Sequence, residues 1–212
     1  MLLDKQTKKE VKKQFESLKD SIKLTVFTQK IECQYCEANR NLVTEISGLS
    51  DKISLEVFDF QVDKDKTTEY KIDKIPALAI TGKKDYGIRF FGIPAGYEFT
   101  SLLSTINMIS TGDASLSADT KSFLDGLKKD INIQVFVTPT CPYCPTAVFL
   151  AFRLAFYSDK VTASMVEVSE FPHLAVKYEV QGVPRTVINE KYSLEGAAPE
   201  EMLVEKIKEA FK

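Results

Sequence analysis

The sequence predicts an α/β protein built twice over: two tandem units, each a mixed sheet of about four strands covered by helices. Three observations carry this. A C-x-x-C pair occurs in each half, Cys33/Cys36 and Cys141/Cys144, and the two copies are 108 residues apart. A proline follows the first cysteine of each pair by 43 residues, Pro76 in one half and Pro184 in the other. Around these points the apolar pattern repeats: "EYKIDKIPALAI" over 69–80 aligns with "KYEVQGVPRTVI" over 177–188, placing Tyr70 on Tyr178, Ile72 on Val180 and Ile80 on Ile188. Two copies are too few for a solenoid, and about 105 residues each is an ordinary domain size. The seam falls in the small, polar stretch "STGDASLSADT" over 110–120, giving units 1–113 and 114–212.

The elements follow in the same order in both units. A lead helix spans roughly 5–18 and 120–129. A short alternating strand places Ile22, Leu24 and Val26 on one face, as Ile131, Ile133 and Val135 do in the second copy. "LKDSIKLTVF" and "LKKDINIQVF" match at a step of 109, so the first copy has one extra loop residue before its cysteine. The loop carries C-x-x-C into a helix over 34–49 and 142–157. The next strand is "ISLEVFDF" or "VTASMVEV". A short helix ends near Ile72 or Val180, and the proline then starts a strand, "ALAI" or "RTVI". A hairpin strand, "GIRFF" or "YSLE", and a helix over 97–109 or 199–211 close the unit, with Gly92 matching Gly196. A strand–helix–strand unit makes a parallel pair with a right-handed crossover, and the hairpin adds antiparallel strands.

Composition narrows the function. Hydrophobic residues are 44% and charged residues 27%, as in ordinary globular proteins, and the net charge is −2. That balance supplies no basic field for nucleic acid and no cationic stripe for a membrane. "MLLDKQTKKEVKKQF" shows no apolar signal region, and the longest apolar run, Ala147 to Phe152, ends at Arg153. The expectation is a soluble, cytoplasmic protein. All four cysteines lie in the two pairs, a pattern that points to metal or redox chemistry in a reducing compartment. A four-cysteine zinc site is one alternative, but zinc ribbons separate their knuckles by ~15–20 residues, far less than Cys36 to Cys141. The repeated proline also has no role in a knuckle. No metal and no cofactor is therefore expected.

These residues carry a family resemblance. C-x-x-C after the first strand, with Ile75-Pro76 or Val183-Pro184 opening a later one, resembles the thioredoxin fold. "CPYC" resembles the glutaredoxin signature. The whole chain, with "CQYC", "CPYC" and "RFFGIPAGYEF" between them, resembles the two-domain protein disulfide oxidoreductases of thermophilic archaea and bacteria. The resemblance implies one continuous sheet, two redox-active dithiols, protein disulfide substrates and a thioredoxin-reductase-like NADPH flavoprotein as electron donor. It implies that Pro76 and Pro184 are cis and that Ile75, Pro76, Val183 and Pro184 bind substrate. The chain departs from typical thioredoxins in having Glu32 and Thr140 where Trp precedes the motif. Val26-Phe27 and Val135-Phe136 stand where a buried Asp is usual, so proton transfer falls to another group or to water. "EGAAPEE" lacks the Gly-Gly turn of glutaredoxins, which argues against glutathione dependence. Two rival functions share the fold: a peptide-binding module, and an electron relay like the doubled N-terminal domain of peroxidase-reducing flavoproteins.

The chemistry explains the residue types. Only a thiolate attacks a disulfide, and a helix N-terminus stabilises it through unpaired N–H groups and the helix dipole. Cys33 and Cys141 are therefore expected as exposed nucleophiles, with Cys36 and Cys144 resolving. Pro142 and Pro145 stiffen the second site from the first helical turn. Glu32 and Glu37 flank the first dithiol, whereas 138–152 carries no charge, so Cys141 is expected to have the lower pKa and to alkylate faster at neutral pH. His173 lacks a partner constellation and reads as a surface or helix-start residue. Tyr35 and Tyr143 read as site-shaping or packing side chains. "AVFLAFRLAFY" over 147–157 is apolar on most faces, which predicts either a deep core helix or, as the sharper and favoured reading, burial between the units or in an oligomer. The charged run over 63–74 reads as a solvated helix face.

Overall fold

The computed structural model describes residues 3–210. The first unit contains α1 (Lys5–Phe15), β1 (Ile22–Thr28), α2 (Cys36–Ser47), β2 (Ile53–Asp59), α3 (Lys64–Glu69), β3 (Ala77–Thr81), β4 (Asp85–Phe91) and α4 (Glu98–Thr111). The second repeats the order with α5 (Ala118–Asp125), β5 (Ile131–Val137), α6 (Cys144–Tyr157), β6 (Val161–Glu167), α7 (Pro172–Lys177), β7 (Arg185–Ile188), β8 (Tyr192–Glu195) and α8 (Glu200–Glu209). The expected helix end at Phe211 lies outside the described residues.

One sheet of eight strands runs β2-β1-β3-β4-β6-β5-β7-β8. Within each unit the first two strands are parallel, and the third and fourth are antiparallel. The units join through β4 and β6, which pair in parallel from Ile88↔Ala163 to Phe91↔Val166. This is two tandem thioredoxin-fold units sharing one continuous sheet.

Both faces of β1 are covered. Ile22, Leu24 and Val26 enter the larger core with Leu42, Val43 and Ile46 of α2, while Phe27 packs on the other face with Tyr70 and Phe58. The alternation read from the sequence is therefore one half of a strand buried on both sides. The lead helices are shorter than expected. Asp4 caps α1 by accepting from the Thr7 N–H at 2.8 Å, and the helix stops at Phe15; Ser117 caps α5 in the same way.

Helix α6 explains its own composition. Phe152 stacks edge-on against Phe90 at 4.9 Å, and Phe156 lies 4.5 Å from Tyr86. Both partners are on β4 of the first unit, so this helix is apolar because it is buried between the units. Its one charge, Arg153, donates to the Ala114 carbonyl at 2.5 Å and to that of Ser115, and pairs with Glu200 at 3.3 Å. The arginine thus satisfies backbone carbonyls of the connecting segment between α4 and α5.

Candidate active site

Both dithiols sit where a loop enters a helix, but the helices begin later than the sequence suggests. Cys36 and Cys144 are the first residues of α2 and α6, and Cys33 and Cys141 precede them. The proline of the first helical turn is Pro145, not Pro142. Each pair is joined as a disulfide, with Cα atoms 5.4 and 5.5 Å apart, which holds the leading sulfur at the helix entrance. The inner cysteines are buried, Cys36 at 1% and Cys144 at 0% exposure.

The leading cysteines differ. Cys33 is half-buried, whereas Cys141 is only 8% exposed. The expectation of two exposed nucleophiles therefore fails for Cys141. The reason is local: its Sγ lies 3.6 Å from the Val183 carbonyl oxygen, and its backbone N–H donates to the Thr138 carbonyl at 3.2 Å, folding the loop inward.

The Ile75–Pro76 and Val183–Pro184 peptide bonds are cis. The repeat is reproduced in detail: Gly92 N–H donates to the Pro76 carbonyl at 2.9 Å and Gly196 N–H to that of Pro184 at 2.8 Å. Both glycines have positive φ, 96° and 77°. Pro76 and Pro184 are buried, and Ile75 and Val183 are half-buried beside them. The sequence match of Gly92 with Gly196 is thus a structural equivalence.

The two sites lie on the same end of the sheet, after β1 and β5. Four strand steps separate β1 from β5, which at ~4.8 Å each is roughly 19 Å. One tetrahedral metal ion cannot draw ligands from both pairs across that gap.

The first unit also reaches into the second site, which no local window of sequence reveals. Tyr97 N–H donates to the Pro139 carbonyl at 2.9 Å, two residues before Cys141. Gly96 makes this approach feasible: it has φ 59°, and a Cβ there would collide with the Pro139 carbonyl. The next residue after Tyr97, Glu98, is 1% exposed, and among the described residues no cation pairs with its carboxyl group. Burial pushes its pKa up to about 7, with Ser101 nearby offsetting the rise in part. This buried carboxyl belongs to the residue next to the backbone contact between the units.

A second, half-buried acid stands at the junction. Glu170 accepts from the Ile93 N–H at 2.7 Å, and burial pushes its pKa up to about 7, with Glu167 adding to the rise. The signal for both acids was tertiary: Glu98 lies in the stretch "RFFGIPAGYEF" and Glu170 in no motif, and neither position announces its burial in the sequence.

His173 is exposed at the start of α7 with its ring against Phe171. Tyr143 is 69% exposed, so it packs little, while Tyr35 is half-buried. No helix among the described residues is long and apolar enough to cross a membrane.

The geometry of paired dithiols at helix entrances, with a cis-proline opening a later strand in each unit, defines a class: thioredoxin-fold thiol–disulfide oxidoreductases. Residues 131–209 match the thioredoxin domain family model. Across the whole length the chain is similar to a protein disulfide oxidoreductase from Aeropyrum pernix, with a TM-score of 0.92 and 31% identity, covering 99% of this chain and 94% of that one. The chain belongs to the two-domain protein disulfide oxidoreductases.

It is also similar to the N-terminal domain of the alkyl hydroperoxide reductase AhpF from Enterococcus faecalis, with a TM-score of 0.88, 26% identity and coverage of 96% and 98%. Among curated proteins, the AhpF-type component of the Pseudomonas aeruginosa alkyl hydroperoxide reductase is 24% identical over 167 residues, and a Bacillus subtilis NADH dehydrogenase is 23% identical over 151. The match spans only 30% and 27% of those two proteins.

Proposed function

We propose that this protein reduces, forms or isomerises disulfides in protein substrates through both dithiols, one in each of the units 1–113 and 114–212. The observation that carries this reading is the duplication of the site's parts: two disulfide-bonded C-x-x-C pairs, each with a cis-proline in its own unit.

In the reductive direction, the thiolate of Cys33 or Cys141 attacks one sulfur of a substrate disulfide. An enzyme–substrate mixed disulfide forms and one substrate thiolate leaves. Cys36 or Cys144, as thiolate, then attacks the leading cysteine and expels the second substrate thiolate. The enzyme is left with an intramolecular disulfide; two electrons and, after protonation, two protons have passed to the substrate. The reverse sequence inserts a disulfide. The backbone at Ile75-Pro76 and Val183-Pro184 is assigned to pair with an extended substrate segment, as a peptide adds to a strand edge. The electron donor proposed is a thioredoxin-reductase-like NADPH flavoprotein. The similarity to alkyl hydroperoxide reductase components supports a redox partner of the reductase type.

The test is dithiothreitol-driven reduction of insulin disulfides. Wild-type protein accelerates it, C33S/C36S and C141S/C144S each retain part of the rate, and the variant lacking all four cysteines retains none. A dedicated electron relay or a peptide-binding module would leave insulin reduction at the uncatalysed rate.

A further inference from the structure

A groove runs along the helix that starts at the second dithiol. Helices α4 and α6 both start at the end of the sheet that carries the sites and pack side by side. Between them and the segment entering α8 lies a cavity of about 340 Å³, walled by Thr100, Pro145, Phe149, Leu150, Ala198 and Pro199. Pro145 directly follows Cys144, so the groove begins one residue beyond the second dithiol.

Its orientation follows from helical spacing. Thr100 lies three residues after Tyr97, and Thr146 three after Tyr143, which sets each pair on one helix face. Tyr97 and Tyr143 are the N-caps of α4 and α6 and are 50% and 69% exposed, so the two helices that wall the groove each begin with an exposed aromatic residue. The ionised side chains along its walls, Arg153 and Glu200, are paired with each other at 3.3 Å. The lining is otherwise apolar or hydroxyl-bearing. Such a site rewards an uncharged, largely apolar side chain and disfavours a charged one, which would lose water without gaining a free counter-ion.

We propose that this groove is a specificity subsite that takes an apolar, preferably aromatic, side chain of the disulfide-bearing polypeptide while its cysteine is bonded to Cys141. The inference rests on the dithiol-exchange reading of the second site and adds to it a preference for sequence near the substrate cysteine. It follows that the second dithiol selects among protein substrates by residues the thiol chemistry never touches.

The test uses the full chain with Cys33 and Cys36 changed to Ser, reduced with dithiothreitol. Two synthetic disulfide-linked peptides are compared, with Phe or Ser placed roughly three residues from one cysteine. Each rate is normalised to that on hydroxyethyl disulfide, which has no side chain to fill the groove. The expected result is a kcat/KM preference for the Phe peptide of about tenfold, the scale of discrimination a hydrophobic pocket provides. Thr100→Trp, at an exposed helix position, and Ala198→Trp fill the groove from opposite walls. Collapse of the preference towards unity in either folded variant supports the subsite. Equal rates on the two peptides in the parent, or a preference intact in both filled variants, overturns it. No turnover of hydroxyethyl disulfide by the parent would instead sink the dithiol reading, and the subsite with it.

Discussion

At the scale of single residues, the two leading cysteines are chemically unequal for reasons that pull in opposite directions. Glu32 and Glu37 flank Cys33 in sequence and oppose a thiolate there, while Cys141 has no charged sequence neighbour. Yet Cys141 is nearly enclosed, with its Sγ 3.6 Å from the Val183 carbonyl oxygen, so a reagent reaches it less readily than Cys33. Access and acidity thus separate. Alkylation by iodoacetamide, followed against pH in C33S and C141S, should show a lower apparent pKa for Cys141 with a lower plateau rate at high pH. Identical profiles would refute the inequality. Glu98 carries a second consequence. Its pKa rises from an ordinary 4.5 to about 7 on folding, because burial penalises the carboxylate. Between those values the native state keeps a proton that the unfolded chain releases. Stability therefore falls as pH rises from about 4.5 to 7 and then levels off, by on the order of 3 kcal/mol for a shift of this size. Glu170 pushes the same way, with a pKa also near 7. E98Q should flatten this fall, so urea unfolding should find it more favourable relative to wild type at pH 8 than at pH 4.5. An equal effect at both pH values would show that Glu98 does not hold the proton.

At the scale of elements, what was legible in the sequence was whatever local pattern repeats. The strands of the second hairpin, 185–188 and 192–195, match expectation, because β-branched and aromatic residues bounded by turn residues leave little choice. The dithiols and prolines were fixed by spacing. Helix starts were less legible. Both C-x-x-C helices begin at the second cysteine, since the residues between the sulfurs form a turn that no capping side chain announces. The contributions that cross between units were illegible: Tyr97 holding Pro139, Glu98 buried beyond it, and Arg153 satisfying the connecting segment. Each depends on α4 and α6 lying together, and nothing in either helix names the other. Only the apolar excess of 147–157 signalled that a partner surface must exist.

At the scale of the whole molecule, the duplication did not leave two independent domains. Strands β4 and β6 pair across the seam, so each unit supplies the other with a neighbouring strand in one sheet. Phe90 against Phe152 and Tyr86 against Phe156 place the core of the second unit on the first. The second dithiol is completed by a loop that the first unit holds in place through Tyr97. Cutting the chain at 113/114 would expose the edge of β6 and the apolar face of α6 together, a strand edge and a patch that soluble monomers keep covered. The full chain should therefore unfold in one cooperative step, with a denaturant slope proportional to the surface of both units rather than one. The isolated segment 114–212 should self-associate or lose its cooperative transition, and its dithiol should react with insulin more slowly than the same dithiol in the C33S/C36S full chain. Analytical ultracentrifugation and urea unfolding of the segment decide the matter: a monodisperse monomer with the full-length midpoint would mean that the joint sheet is a contact between finished domains and not a shared core.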